Sequence, residues 1–156
     1  MLKVWTAALL WLGLIATESS NLGSSGNTSR ILYPVFHYLF AMDFAHFEVW
    51  HTVIRKTGHV VGYFMLSLLL FRAWRATLPR PAAPAWSLPW ARTAWIMTTL
   101  VAALDEWHQA YIPTRGSSVH DVLLDSAAAL AAQIVIWLWL RGKTQREEFR
   151  RSAVSA

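Results

Sequence analysis

The chain has 156 residues, a length that suits one domain. Hydrophobic residues make up 55% and charged residues 15%, whereas soluble domains carry about 25% charge. The lack of cysteine excludes disulfides, thiolate metal sites and cysteine nucleophiles. The net charge is +5, but the basic residues sit in blocks beside apolar runs. That placement marks the flanks of membrane helices rather than a nucleic-acid surface.

Taken in chain order, the first apolar run is Val4 to Ala16. Lys3 precedes it and small residues follow, as in a signal peptide. It is read as an uncleaved spanning helix. Residues 18–30, "ESSNLGSSGNTSR", form a polar loop. Residues 31–54 are aromatic and apolar, yet hold Asp43, Glu48, His37, His46 and His51. Pro34 suits a helix start, and His37, Glu48, His51 and Arg55 fall on one helical stripe. This stretch is expected to lie in the interface as a helix or to pack on the bundle as an aromatic loop. The three histidines are read as interfacial hydrogen-bonding groups.

The second run is His59 to Trp74. A connector follows at 77–90, with Pro79, Pro81, Pro84 and Pro89, which exclude helix interior. The third run extends from Trp90 to about Ile112, and the fourth from Val122 to Leu140. Each reaches the roughly 20 residues of a membrane span only when its polar ends are included. The expected fold is therefore an all-α integral membrane bundle, with four transmembrane helices plus an interfacial helix at about 31–54. Tryptophans 5, 11, 74, 86, 90, 137 and 139 suit an aromatic belt.

With the N-terminus cytoplasmic, ten cations fall inside: Lys3, Arg72, Arg75, Arg80, Arg92, Arg141, Lys143, Arg146, Arg150 and Arg151. Four fall outside: Arg30, Arg55, Lys56 and Arg115. The bias places both termini in the cytoplasm. It also brings the unusual polar residues to one outward end.

On the third span, Asp105, His108 and Gln109 are spaced to share a face. Arg55, His59 and Gly62 share one on the second, with Lys56 and Tyr63 nearly so. Ser118 and Asp121 read as a capping box opening the fourth span, with Asp125 one turn later. Arg55 and Lys56 are the nearest partners for Asp105 and Glu106. The cluster serves either as ion pairs pinning helices together or as a functional pocket. No H-x-x-x-H element is present, and His108 follows Glu106 by only two positions, a poor helical chelate, so no metal is assigned, and no cofactor. Asp105 or Glu106 could act as acid or base. Ser117 and Ser118 are better explained as turn and cap than as nucleophiles.

"IRKTGHVVGYFMLSLLL" (54–70) and "LDEWHQAYIPTRGSSVHDVLLDSAAALAA" (104–132) resemble the VanZ-like family. The family pattern is R-K-x-x-H-x-x-x-Y, then D-E-x-x-Q-x-x-x-P-x-R-x-x-x-x-x-D-x-x-x-[ND]. It is matched by Arg55, Lys56, His59, Tyr63, Asp105, Glu106, Gln109, Pro113, Arg115, Asp121 and Asp125. The likeness is strongest over 54–140, within a single domain of 1–156. Two departures stand out. Gly62 occupies a position where relatives often carry an acid, and residues 127–132 lack the usual glycines.

The resemblance implies a multi-pass protein of the bacterial inner membrane. The family is named for a protein that gives resistance to the glycopeptide teicoplanin. The leading functional expectation is recognition of a glycopeptide or lipid-linked envelope precursor at the outer leaflet. An accessory subunit docked in a larger membrane protein complex is the alternative. An enzyme acting on a lipid-linked substrate is a third reading. The bilayer is the expected partner, and nucleic acid is not.

Overall fold

Small polar side chains set the boundaries of the first helices. In α1, Leu2–Ser19, the hydroxyls of Thr6 and Thr17 donate to carbonyls four residues back, at 3.0 and 2.8 Å. Polar side chains are thereby carried in a helix that otherwise offers apolar surface. A 3-10 turn, Asn21–Gly23, follows, with Ser20 Oγ accepting from the Leu22 amide. Ser24 then caps α2, Ser25–Phe40, by accepting from the Asn27 amide. The second half of the expected polar loop is thus helical. Pro34 lies inside α2 rather than at its start.

The computed structural model describes residues 2–78, 86–113 and 115–154. Pro79, Pro81 and Pro84 of the expected connector lie outside the described residues, as does Arg80. Among the described residues are five α-helices and no strand.

The stretch 31–54 is not one helix. Ala41 takes a left-handed conformation, φ 50°, and ends α2. Asp43 then opens α3, Phe44–Thr77, by accepting from the His46 amide at 2.9 Å. The break redirects the chain, and the rings of Tyr33 and Phe36 on α2 pack edge-on against Phe47 on α3. Phe47 is wholly buried, whereas no residue of α2 is. The expected stripe from His37 to Arg55 is therefore split between two helices. The three histidines do form hydrogen bonds: His37 with the Met42 carbonyl, His46 with Asp43, and His51 with Thr28.

The Asp43 cap gives a pH dependence. Amide donation from His46, followed by contact with its ring, lowers the Asp43 pKa below its ordinary value. A depressed carboxyl pKa stabilises above the unfolded value and loses that contribution as pH falls through the folded one. The start of α3 is expected to fray only below the usual carboxylate range. Amide exchange at 44–47 checks this, and Asp43→Ala should remove the pH dependence.

α4, Leu88–Gln109, takes Pro89 into its first turn, where no amide is needed. The connector therefore ends earlier than the prolines suggest. α5 runs Val119–Val154. α3 is the central helix, touching α1, α4 and α5, while α1 and α5 do not meet among the described residues. Trp5 bonds Thr77 and Trp11 bonds the Gly62 carbonyl, so α1 and α3 are antiparallel. Phe71 packs on Trp90 while Tyr63 reaches Asp105, which makes α3 and α4 antiparallel as well. The result is an up-down-up-down arrangement of α1, α3, α4 and α5.

Alanines 91, 94 and 102 on α4 and 128, 129 and 132 on α5 are buried. They let backbones approach closely where glycine is absent. Trp90 is 1% exposed and belongs to this core, not to a belt. Phe44–Thr77 and Val119–Glu147 are long and apolar enough to cross a membrane. Only 22% and 28% of their most apolar windows are buried within the bundle. The rest of that apolar surface needs lipid around it.

Candidate functional site

The antiparallel packing brings four chain segments to one end of the bundle: the end of α1, the first half of α3, the end of α4 and the start of α5. The site lies there. On α3 its residues recur at 56, 59, 63 and 67, three or four apart, so they form one stripe. On α5 the facing positions are 121, 125, 129 and 133, each one turn on.

The pairs deepen along this seam. Lys56 Nζ meets Asp121 Oδ1 at 2.9 Å, with the lysine side chain 55% exposed. One turn in, His59 Nδ1 meets Asp125 Oδ2 at 3.2 Å, and Asp125 is 1% exposed. Next, the Tyr63 hydroxyl donates to Asp105 Oδ2 at 2.8 Å, with both residues buried. Deepest, the Ser67 hydroxyl donates to the Ala129 carbonyl at 2.9 Å, and Gln133 Nε2 donates to Ser67 Oγ at 2.7 Å.

The partners differ from those expected. Asp105 and Glu106 pair with neither Arg55 nor Lys56. Glu106 Oε2 accepts from the Ser118 amide at 2.8 Å. Glu106 thus occupies the place assigned to Asp121 in a capping box, and it comes from another helix. Asp121 is left free to hold Lys56. His108 is exposed, while Gln109 is buried and donates to Ser19 Oγ at 3.3 Å. Ser19, Ser67 and Gln133 escaped the sequence reading. For Gln133 a signal existed, since it continues the four-residue spacing of Asp121 and Asp125.

Arg115 lies in the α4–α5 connection and reaches across to α1. Its Nη2 donates to the Glu18 carbonyl, satisfying a helix-end group that lacks an intrahelical donor. Gly23 sits against the same two groups. A β-carbon there would overlap the Glu18 carbonyl and lie 2.7 Å from Arg115 Nη2. Burial, and then the nearby Arg55 guanidinium, lower the Arg115 pKa. Arg115 Nε is buried without a hydrogen-bond partner among the described residues.

Arg55 forms no ion pair among the described residues. It faces a cavity of about 240 Å³ shared with Arg115, His51, His59 and Glu18. Ile54 and Leu32 add apolar wall. Two guanidiniums on one small cavity, with one lining carboxylate, suit an anionic group.

A sequence profile of the VanZ/LLP1 family matches residues 4–140. The chain belongs to the VanZ/LLP1 family. Its membership and the two membrane-length helices mark it as a membrane protein. No curated protein and no solved structure matches the chain. Gly62 lies against α1. Trp11 Nε1 donates to its carbonyl at 2.9 Å, and Ile15 lies 4.0 Å from where a β-carbon would stand.

Proposed function

We propose that this VanZ/LLP1-family protein recognises an anionic, membrane-associated ligand at the outer leaflet, either a glycopeptide or a lipid-linked envelope precursor. Arg55 and Arg115 converging on one cavity is the observation that carries this reading. Guanidinium binds phosphate and carboxylate in paired, oriented hydrogen bonds. The orientation follows from charge, with four spans and both termini cytoplasmic. Lys3, Arg72, Arg75, Arg92 and Arg141 belong to the helix ends opposite the site, and cytoplasmic ends collect cations.

Binding is favoured over acid–base chemistry because Asp105 and Glu106 are already engaged by Tyr63 and Ser118. Native mass spectrometry of protein extracted gently from its own membranes tests the reading. The wild type should carry a bound anionic mass. Arg55→Gln should reduce its occupancy at least tenfold, the scale of one charge-assisted hydrogen bond. Equal occupancy in that variant sinks the proposal. A stoichiometric protein partner retained in the variant would instead favour an accessory subunit.

A further inference from the structure

A second cavity, of about 420 Å³, lies between α4 and α5, away from the arginine site. Trp86, Trp95, Trp137 and Ile134 wall it, Arg92 stands at it, and Gln133 lines it. Ile134 is 49% exposed, so the cavity is open along the lipid-facing side of the bundle. Within these apolar walls are two buried polar atoms without partners among the described residues, Trp86 Nε1 and Gln133 Oε1.

The orientation of the Gln133 amide is fixed by its neighbours. Its other end meets the Ser67 carbonyl at 3.1 Å and Ser67 Oγ at 2.7 Å. A carbonyl only accepts. Ser67 Oγ has already given its proton to the Ala129 carbonyl. Both therefore require the amide nitrogen, and exchanging the amide's two ends would set oxygen against oxygen. The carbonyl oxygen of Gln133 is the end left without a partner, on a residue that lines the cavity. Gln133 is 5% exposed, so bulk water does not serve it.

We propose that this cavity binds a lipid alcohol: an apolar chain among the tryptophans, with a hydroxyl that donates to Gln133 Oε1. The chemistry discriminates among membrane molecules. A plain hydrocarbon chain leaves the carbonyl unpaired. A phosphate brings acceptors where a donor is wanted. An ammonium donates, but its burial among apolar walls is costly. A hydroxyl also carries lone pairs, which suit the unpartnered Trp86 N–H. Apolar pockets with a few placed polar groups are the usual form of small-molecule sites.

The tryptophan walls supply the readout. The protein is placed in phosphatidylcholine nanodiscs, and tryptophan fluorescence is titrated with 12-bromo-1-dodecanol or 1-bromododecane, whose bromine quenches nearby indoles. The alcohol should reach half-quenching at about a tenfold lower mole fraction, the scale of one satisfied buried acceptor. Gln133→Leu should remove that preference and leave quenching by the alkane unchanged. Equal quenching by both probes in the wild type overturns the proposal, and would mean that water pairs with Gln133. Preference surviving in Gln133→Leu overturns it as well. Should that variant fail to fold, Ser67→Ala/Gln133→Leu removes both polar partners, and preference surviving there has the same force. The arginine site is untouched by either variant, so failure here leaves the reading of that site standing.

Discussion

Replacing Glu106 by alanine should lower stability by about 2 kcal/mol and loosen the start of α5. Glu106 is 5% exposed, and its carboxylate accepts the Ser118 amide at 2.8 Å. Ser118 is half-buried at the start of α5, where amides have no intrahelical acceptor. The cap is charge-assisted, which makes it stronger than a neutral one. Ser118 Oγ does not replace it, since it accepts from the His120 amide at 3.2 Å. Asp121 and Asp125 ride on the first two turns of α5, so a frayed start also weakens their grip on Lys56 and His59. Glu106→Gln keeps an acceptor oxygen and should retain most of the stability. Amide exchange at 118–125 in detergent, beside thermal unfolding, measures both effects. Exchange as slow in the alanine variant as in wild type would show that Glu106 does not hold α5.

This cap marks the limit of what the sequence makes legible. The helices were readable because apolar runs and their polar ends are local properties. The meeting of Arg55, Lys56, His59 and Tyr63 with Asp105, Gln109, Arg115 and Asp125 followed from alternating helix direction alone. Partner choice did not. Ser118 and Asp121 have capping-box spacing, but spacing cannot reveal that Glu106 arrives from α4 to take the amide. Likewise, Arg115 reaches Glu18 across 97 positions of chain. The break at 41–43 was hidden for a different reason. Ala41 adopts a left-handed conformation that alanine seldom takes, held by ring packing around Phe47. Gln133 was passed over because an apolar run with one amide reads as lipid-facing helix until the facing Ser67 is known.

Tyr63→Phe tests how far the buried part of the seam differs from its exposed rim. The substitution removes only the hydroxyl, leaving the ring beside His59. Hydrogen bonds between membrane helices contribute about 0.6 kcal/mol on average. The Tyr63–Asp105 bond should exceed that, at about 2 kcal/mol, because its acceptor is a carboxyl group only 9% exposed. Most of that loss is the cost of leaving Asp105 without its donor. Asp105→Leu in the Tyr63→Phe background should therefore recover part of the stability, and a double-mutant cycle should give a coupling well above zero. Lys56→Ala supplies the contrast. That pair is half in solvent, so its loss should cost less than about 1 kcal/mol. If Tyr63→Phe and Lys56→Ala prove equally mild, the buried end behaves like the rim. Asp105 would then have another donor, or water, close at hand. If the two separate as expected, the bundle is held by Tyr63 and Asp105 inside, which leaves Arg55 at the rim free to engage a ligand.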